Sequence, residues 1–88
     1  MNIIVTIPAY NEEKTIGIAI KDIKKSLDGS HYKAKYRILV IDDGSRDKTA
    51  QIAKNSGAIV YSHPKNYGLA ECFRTEIQKC IELNADVI

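Results

Sequence analysis

Arg37-Ile38-Leu39-Val40-Ile41-Asp42-Asp43-Gly44-Ser45 is the stretch whose reading decides the fold. From Ile38 to Ile41 every residue is apolar, with no polar alternation. A strand that is apolar on both faces belongs to a parallel sheet covered on both sides. The spacing predicts a strand over Arg37 to Ile41. Asp42-Asp43-Gly44-Ser45 breaks it, because Asp and Gly supply turn conformations at low cost.

Upstream, Ile3-Ile4-Val5-Thr6-Ile7 is a β-branched run that reads as a buried strand, with Pro8 expected to end it. A helix is predicted from Glu13 to Leu27, where Ile16, Ile20, Ile23 and Leu27 recur at helical spacing. Glu12-Glu13 at its start and Lys21, Lys24 and Lys25 toward its end suit the helix dipole, and Asp28-Gly29-Ser30 stops it. Downstream, a second helix is expected from Asp47 to Ser56 with Gly57 at its end. A third strand follows from Ala58 to Tyr61, then a loop from Ser62 to Gly68. A third helix is expected from Leu69 to Leu83, with Leu69, Phe73, Ile77, Cys80 and Ile81 as its inner face. Asp86-Val87-Ile88 reads as the start of a fourth strand.

The order β-α-β-α-β-α-β predicts an α/β three-layer sandwich with a parallel sheet. Residues 1–88 form a single domain, and a chain stopping inside a buried strand reads as the N-terminal part of a longer protein. An unfinished apolar edge strand is a template for self-association.

Composition narrows the function. Hydrophobic residues at 44% and charged residues at 27% are globular values and exclude a disordered chain. A net charge of +2 argues against a nucleic-acid partner, which calls for concentrated positive charge. The longest unbroken apolar run is four residues, far below the roughly 20 of a membrane span. Residues 1–7 lack the pattern of a signal peptide, so a cytoplasmic location is expected. Cys72 and Cys80, placed on one helix, lie ~12 Å apart along its axis and cannot pair. They read as buried thiols, and His31 and His63 read as too few and too scattered for a zinc site.

Ligands of open parallel sheets bind beyond the carboxyl ends of the strands. Those ends carry Pro8-Ala9-Tyr10-Asn11-Glu12, Asp42-Asp43-Gly44-Ser45 and Ser62-His63-Pro64-Lys65-Asn66-Tyr67-Gly68. The Asp42-Asp43 pair is open to three readings. It is turn and cap chemistry, a carboxylate accepting from a base N–H or ribose hydroxyl, or a ligand for Mg²⁺ or Mn²⁺. Tyr10 packs or stacks on a base, and Glu12 reads as a first-turn helix carboxylate. Lys65 is a solvated loop charge or a phosphate ligand, and Arg74 is the better placed cation for a phosphate. No G-x-G-x-x-G follows the first strand and no G-x-x-x-x-G-K-[ST] occurs, so neither a dinucleotide nor a P-loop site is supported.

Taken together, three segments are more specific. I-I-V-T-I-P-A-Y-N-E-E from Ile3, I-L-V-I-D-D-G-S-R-D-K-T from Ile38 and N-Y-G-L-A-E-C-F-R-T-E-I from Asn66 resemble, in order, the hallmarks of family 2 glycosyltransferases. This inverting GT-A group includes dolichyl-phosphate mannosyltransferase and related polyprenyl-phosphate sugar transferases. The resemblance implies the N-terminal half of a nucleotide-diphosphosugar site, with a UDP- or GDP-sugar as donor and a polyprenyl phosphate or glycan as acceptor. Pro8, Tyr10 and Glu12 match the loop cradling base and ribose. Ile41 and Asp43 match the end of the second strand, Asp43 meeting the base, with Asp42 beside it. Gly68 and Arg74 match the segment near diphosphate and sugar. The resemblance also implies Mg²⁺ or Mn²⁺ for the full-length parent, held by a D-x-D motif expected beyond Ile88 together with the catalytic base. The 88-residue chain alone is therefore expected to be inactive in transfer. The alternative is a non-catalytic nucleotide-binding module.

Overall fold

A computed structural model describes residues 2–29 and 36–86. The elements run β1 (Ile3–Ala9), α1 (Ile16–Asp28), β2 (Tyr36–Asp42), α2 (Thr49–Asn55), β3 (Ile59–Ser62) and α3 (Leu69–Glu82). The sheet has order β1-β2-β3 and is parallel throughout, with Ile3 to Ala9 opposite Tyr36 to Asp42 and Leu39 to Asp42 opposite Ile59 to Ser62. The three-layer α/β reading holds. The expected fourth strand is not among the described residues; at Asp86, the last of these, the N–H donates to Asn2 O at 2.7 Å.

β2 explains the layers. Successive residues of a strand point to opposite faces. Ile38 and Val40 pack with Ile16 and Ile20 of α1 and Ala53 of α2 on one face. Leu39 and Ile41 pack with Ile4, Cys72 and Cys80 on the other, beneath α3. All four β2 residues are 2% exposed or less, as a strand covered on both sides requires.

Two expectations are corrected. Pro8 lies inside β1 and does not end it. Ala9 O accepts from Asp43 N at 2.8 Å, so Ala9 bonds toward β2 and Pro8, one residue earlier, turns its bonding side to the outer edge. Proline lacks only an N–H that the pairing with β2 does not use. On α3 the expected inner face holds only at Cys80. Leu69, Phe73 and Ile81 are 77%, 61% and 70% exposed and Ile77 is exposed too, while Cys72 and Cys80 are buried. The helix rotates its smaller residues onto the sheet because Ile4, Leu39 and Ile41 already fill that layer.

Helix starts move inward by two or three residues. Glu12 O accepts from Thr15 N and Ile16 N, so residues 13–15 form a turn ahead of α1. Asp47 accepts from Thr49 N at 2.9 Å and stands before α2. A short polar side chain that bonds nearby backbone favours helix ends over helix interiors.

Candidate functional site

The carboxyl ends of the strands meet at one edge, and two loops there are knitted together. Asn11 N donates to Ser45 Oγ at 2.8 Å, and Arg46 N donates back to Asn11 Oδ1 at 2.9 Å. Glu12 N donates to Thr49 Oγ1 at 2.7 Å, and that hydroxyl donates to Asp47 Oδ1. Glu13 N donates to Asp47 Oδ2 at 3.2 Å, and Lys48 N donates to Glu13 Oε2 at 3.1 Å. Asn11, Ser45, Asp47 and Thr49 thus hold the loop carrying Tyr10. These were the residues that sequence reasoning missed, and only their turn-forming type hinted at the role. Burial raises the Asp47 carboxyl, but bonds from Thr49, its hydroxyl first, and from Glu13 N outweigh that and hold it below the ordinary aspartate range.

Asp42 and Asp43 are both 4% exposed but do different things. Asp43 shares the parity of Leu39 and Ile41 and turns toward α3. Its Oδ1 faces His63 Nδ1 at 2.7 Å and accepts from Tyr67 N at 2.9 Å. Its Oδ2 accepts from Gly68 N at 2.9 Å and Asn66 Nδ2 at 3.1 Å. Burial raises this carboxyl, yet the bonds from His63, Tyr67 and Gly68 win and lower it. Asp42 takes the other parity. Its Oδ1 accepts from Ser45 N at 3.1 Å, and the side chain lines a cleft of about 450 Å³ with Tyr10, Arg46, His63 and Lys65.

The remaining predicted residues are distributed unevenly. Pro8, Tyr10, Glu12 and Asp43 line a smaller hollow of about 80 Å³ with Leu69 and Cys72. Gly68 reaches the site through its N–H, at φ 96. Ile41 is fully buried under α3, so it supports the floor and does not face the cleft. Arg74 lines neither cavity; its guanidinium lies 3.6 Å from Glu71 on the solvent side of α3. Lys65 and Arg46 are the cations at the cleft.

Gly44 is dictated by this crowding. Its φ is +76, and a Cβ there would stand 2.3 Å from the Lys65 carbonyl carbon. Only glycine lets the loops after β2 and β3 approach so closely.

The fold also gathers Asp43, His63 and Cys72, whose ligand atoms all lie within 4.8 Å of one another. His63 thus has two other side chains of ligand type beside it, while His31 lies outside the described residues. Burial and then the Asp43 charge push the Cys72 thiol up to about 11, so it is a neutral thiol. The set mixes oxygen, nitrogen and sulfur, whereas Mg²⁺ and Mn²⁺ take oxygen. Asp42 is the single carboxylate on the larger cleft and already accepts from Ser45, and the resemblance assigns the oxygen ligands of Mg²⁺ or Mn²⁺ to a D-x-D motif beyond Ile88.

Comparison with known proteins places the sequence in a family. The sequence pattern of glycosyl transferase family 2 matches residues 4–81. An uncharacterised protein of Methanocaldococcus jannaschii is 49% identical over 78 residues, covering 89% of this chain and 29% of that protein. The UDP-N-acetylglucosamine–dolichyl-phosphate N-acetylglucosaminyltransferase of Methanococcus voltae is 32% identical, covering 92% of this chain and 36% of that protein. A dolichyl-phosphate hexose transferase of Haloferax volcanii is 39% identical, covering 75% and 27%. The chain thus spans roughly a third of the length of such relatives. The match runs through all three loops that build the cleft, and the chain belongs to glycosyl transferase family 2.

Proposed function

We propose that this chain is the nucleotide-diphosphosugar-binding part of an inverting glycosyltransferase whose acceptor is a polyprenyl phosphate or a glycan. The observation that carries the reading is the cleft of about 450 Å³ at the carboxyl ends of three parallel strands, lined by Tyr10, Asp42, Arg46 and Lys65. Tyr10, 44% exposed, offers a ring for a base. The second oxygen of Asp42 accepts from a base N–H or a ribose hydroxyl, as a carboxylate does well. Arg46 and Lys65 supply positive charge for a diphosphate.

This assigns to Asp42 the ligand-facing role that the resemblance gives to Asp43. Asp43 spends its oxygens on His63, Asn66, Tyr67 and Gly68 and so shapes the loop after β3. In the parent enzyme the acceptor oxygen attacks the anomeric carbon opposite the leaving nucleoside diphosphate, inverting the centre. A divalent cation bound in the parent enzyme would supply positive charge to that leaving group. The resemblance assigns its ligands and the catalytic base to the parent protein, and the 88-residue chain alone is expected to bind donor without transferring sugar.

The test is a titration of UDP and GDP, with and without Mn²⁺, following the amide signals of Tyr10, Asp43 and Gly44 by NMR. Saturable shifts independent of metal are expected. Substituting Asp42→Asn should weaken binding about 10-fold or more, in line with ~1.5–3 kcal/mol for a charge-assisted bond. A well-dispersed spectrum that moves with neither nucleotide would overturn the reading.

A further inference from the structure

We propose that Asp43, His63 and Cys72 form a binding site for a thiophilic divalent cation of the zinc class. The argument begins at Thr75, outside the cluster. Its hydroxyl has one proton, and Thr75 Oγ1 lies 2.9 Å from Glu71 O, a carbonyl that only accepts. Donating there, the hydroxyl turns a lone pair toward His63 Nε2, 2.7 Å away, and Nε2 donates to it. In a neutral imidazole the other nitrogen then carries only a lone pair. That nitrogen, Nδ1, faces Asp43 Oδ1 at 2.7 Å, a hydrogen-bond distance, so without a cation the pair holds a further proton between them. A cation that replaces this proton takes Nδ1 and Oδ1 as ligands as the two atoms part slightly, and Cys72 Sγ lies close enough to serve as third ligand.

The donor chemistry selects the ion. Imidazole nitrogen, thiolate sulfur and carboxylate oxygen are the set that Zn²⁺ takes. The surroundings are those of a ligand set held in place. Tyr67 N, Gly68 N and Asn66 Nδ2 fix the carboxylate and leave free the side of Oδ1 toward His63. Thr75 orients the imidazole from behind, as outer partners of metal-bound histidines do. His63 lines the larger cleft, and Asp43 and Cys72 line the smaller hollow, so the cluster has a way in from solvent and room for water as a fourth ligand. Loading releases to solvent the Cys72 thiol proton and the proton shared by His63 and Asp43 as the metal bonds form. Asp43 and His63 contribute lone pairs, and no oxidation state changes. The site is separate in kind from the oxygen-ligated cation of sugar transfer.

The test uses Co²⁺ as a spectroscopic probe on the whole chain, in metal-free buffer with a non-thiol reductant. A thiolate-to-cobalt charge-transfer band in the near ultraviolet, bleached by Zn²⁺, is expected. Cys80→Ser should keep the band and Cys72→Ser should lose it. Thr75→Val should weaken cobalt binding about 10- to 100-fold, as loss of an outer partner does. Far-ultraviolet circular dichroism checks that each variant folds. Absence of the band in the unsubstituted chain overturns the proposal whatever the variants do, and means that a proton alone bridges His63 and Asp43. A band surviving Cys72→Ser in a folded protein overturns it equally. No nucleotide enters the measurement, so its outcome is independent of the donor-binding reading.

Discussion

Gly44 carries the sharpest consequence of a single residue. Alanine there adds a Cβ 2.3 Å from the Lys65 carbonyl carbon while holding φ at +76. Backbone must move on one side or the other, so Gly44→Ala should cost about 3 kcal/mol, read as a lowered urea midpoint. Asp47 makes a prediction about acid. Its folded carboxyl titrates below its unfolded value of 3.8. The stabilisation is therefore complete above that value and is lost as pH falls through the lower folded value. Asp47→Asn should flatten the acid limb of the stability profile below pH 3.8, and an unchanged slope would remove Asp47 from the clasp. Asp42 and Asp43 show what one step along a strand does. Adjacent carboxylates share composition and burial, yet alternation sends one to the cleft and the other under α3.

Among the elements, α3 separates pattern from packing. Its stripe of Leu69, Phe73, Ile77 and Ile81 has the spacing of a core face and is exposed. Phe73→Ser and Ile81→Lys should therefore change stability by only about 0.5 kcal/mol, as exposed positions do. Ile20→Ala in the fully buried face of α1 should cost about 2–5 kcal/mol. Chemical denaturation of the three variants side by side checks the contrast. The junction of α2 with the first loop is equally specific. Thr49→Val keeps shape but leaves Glu12 N without its acceptor, at a cost of about 1–3 kcal/mol. The Tyr10 amide signal should broaden or shift as the loop loosens.

At the scale of the whole molecule, β2 joins both layers, and its four core residues are nearly or fully inaccessible. A domain of this size holds about 4–13 kcal/mol in total. Leu39→Ala, at about 2–5 kcal/mol, should bring the chain to the margin of folding and abolish nucleotide-dependent shifts along with it. The order of strands and helices was legible in the sequence because hydrophobic periodicity is local: Ile38 to Ile41 announces a doubly covered strand, and Ile16, Ile20 and Ile23 announce α1. The meeting of three polar loops at one edge also followed, since parallel strands place their carboxyl ends together. The side chains within that edge were decided elsewhere. Asp43, His63 and Cys72 come from three separate segments, and only the pairing of β2 with β3 and the seating of α3 bring their ligand atoms within 4.8 Å. Likewise the pairing of β1 with β2 decides that Pro8 can remain in the strand, and packing against Ile4, Leu39 and Ile41 decides that Cys72 joins Cys80 on the covered face of α3. Periodicity and turn chemistry act over a few residues and can be read along the chain; which face is covered, and which neighbour meets a carboxylate, depends on contacts made across the fold.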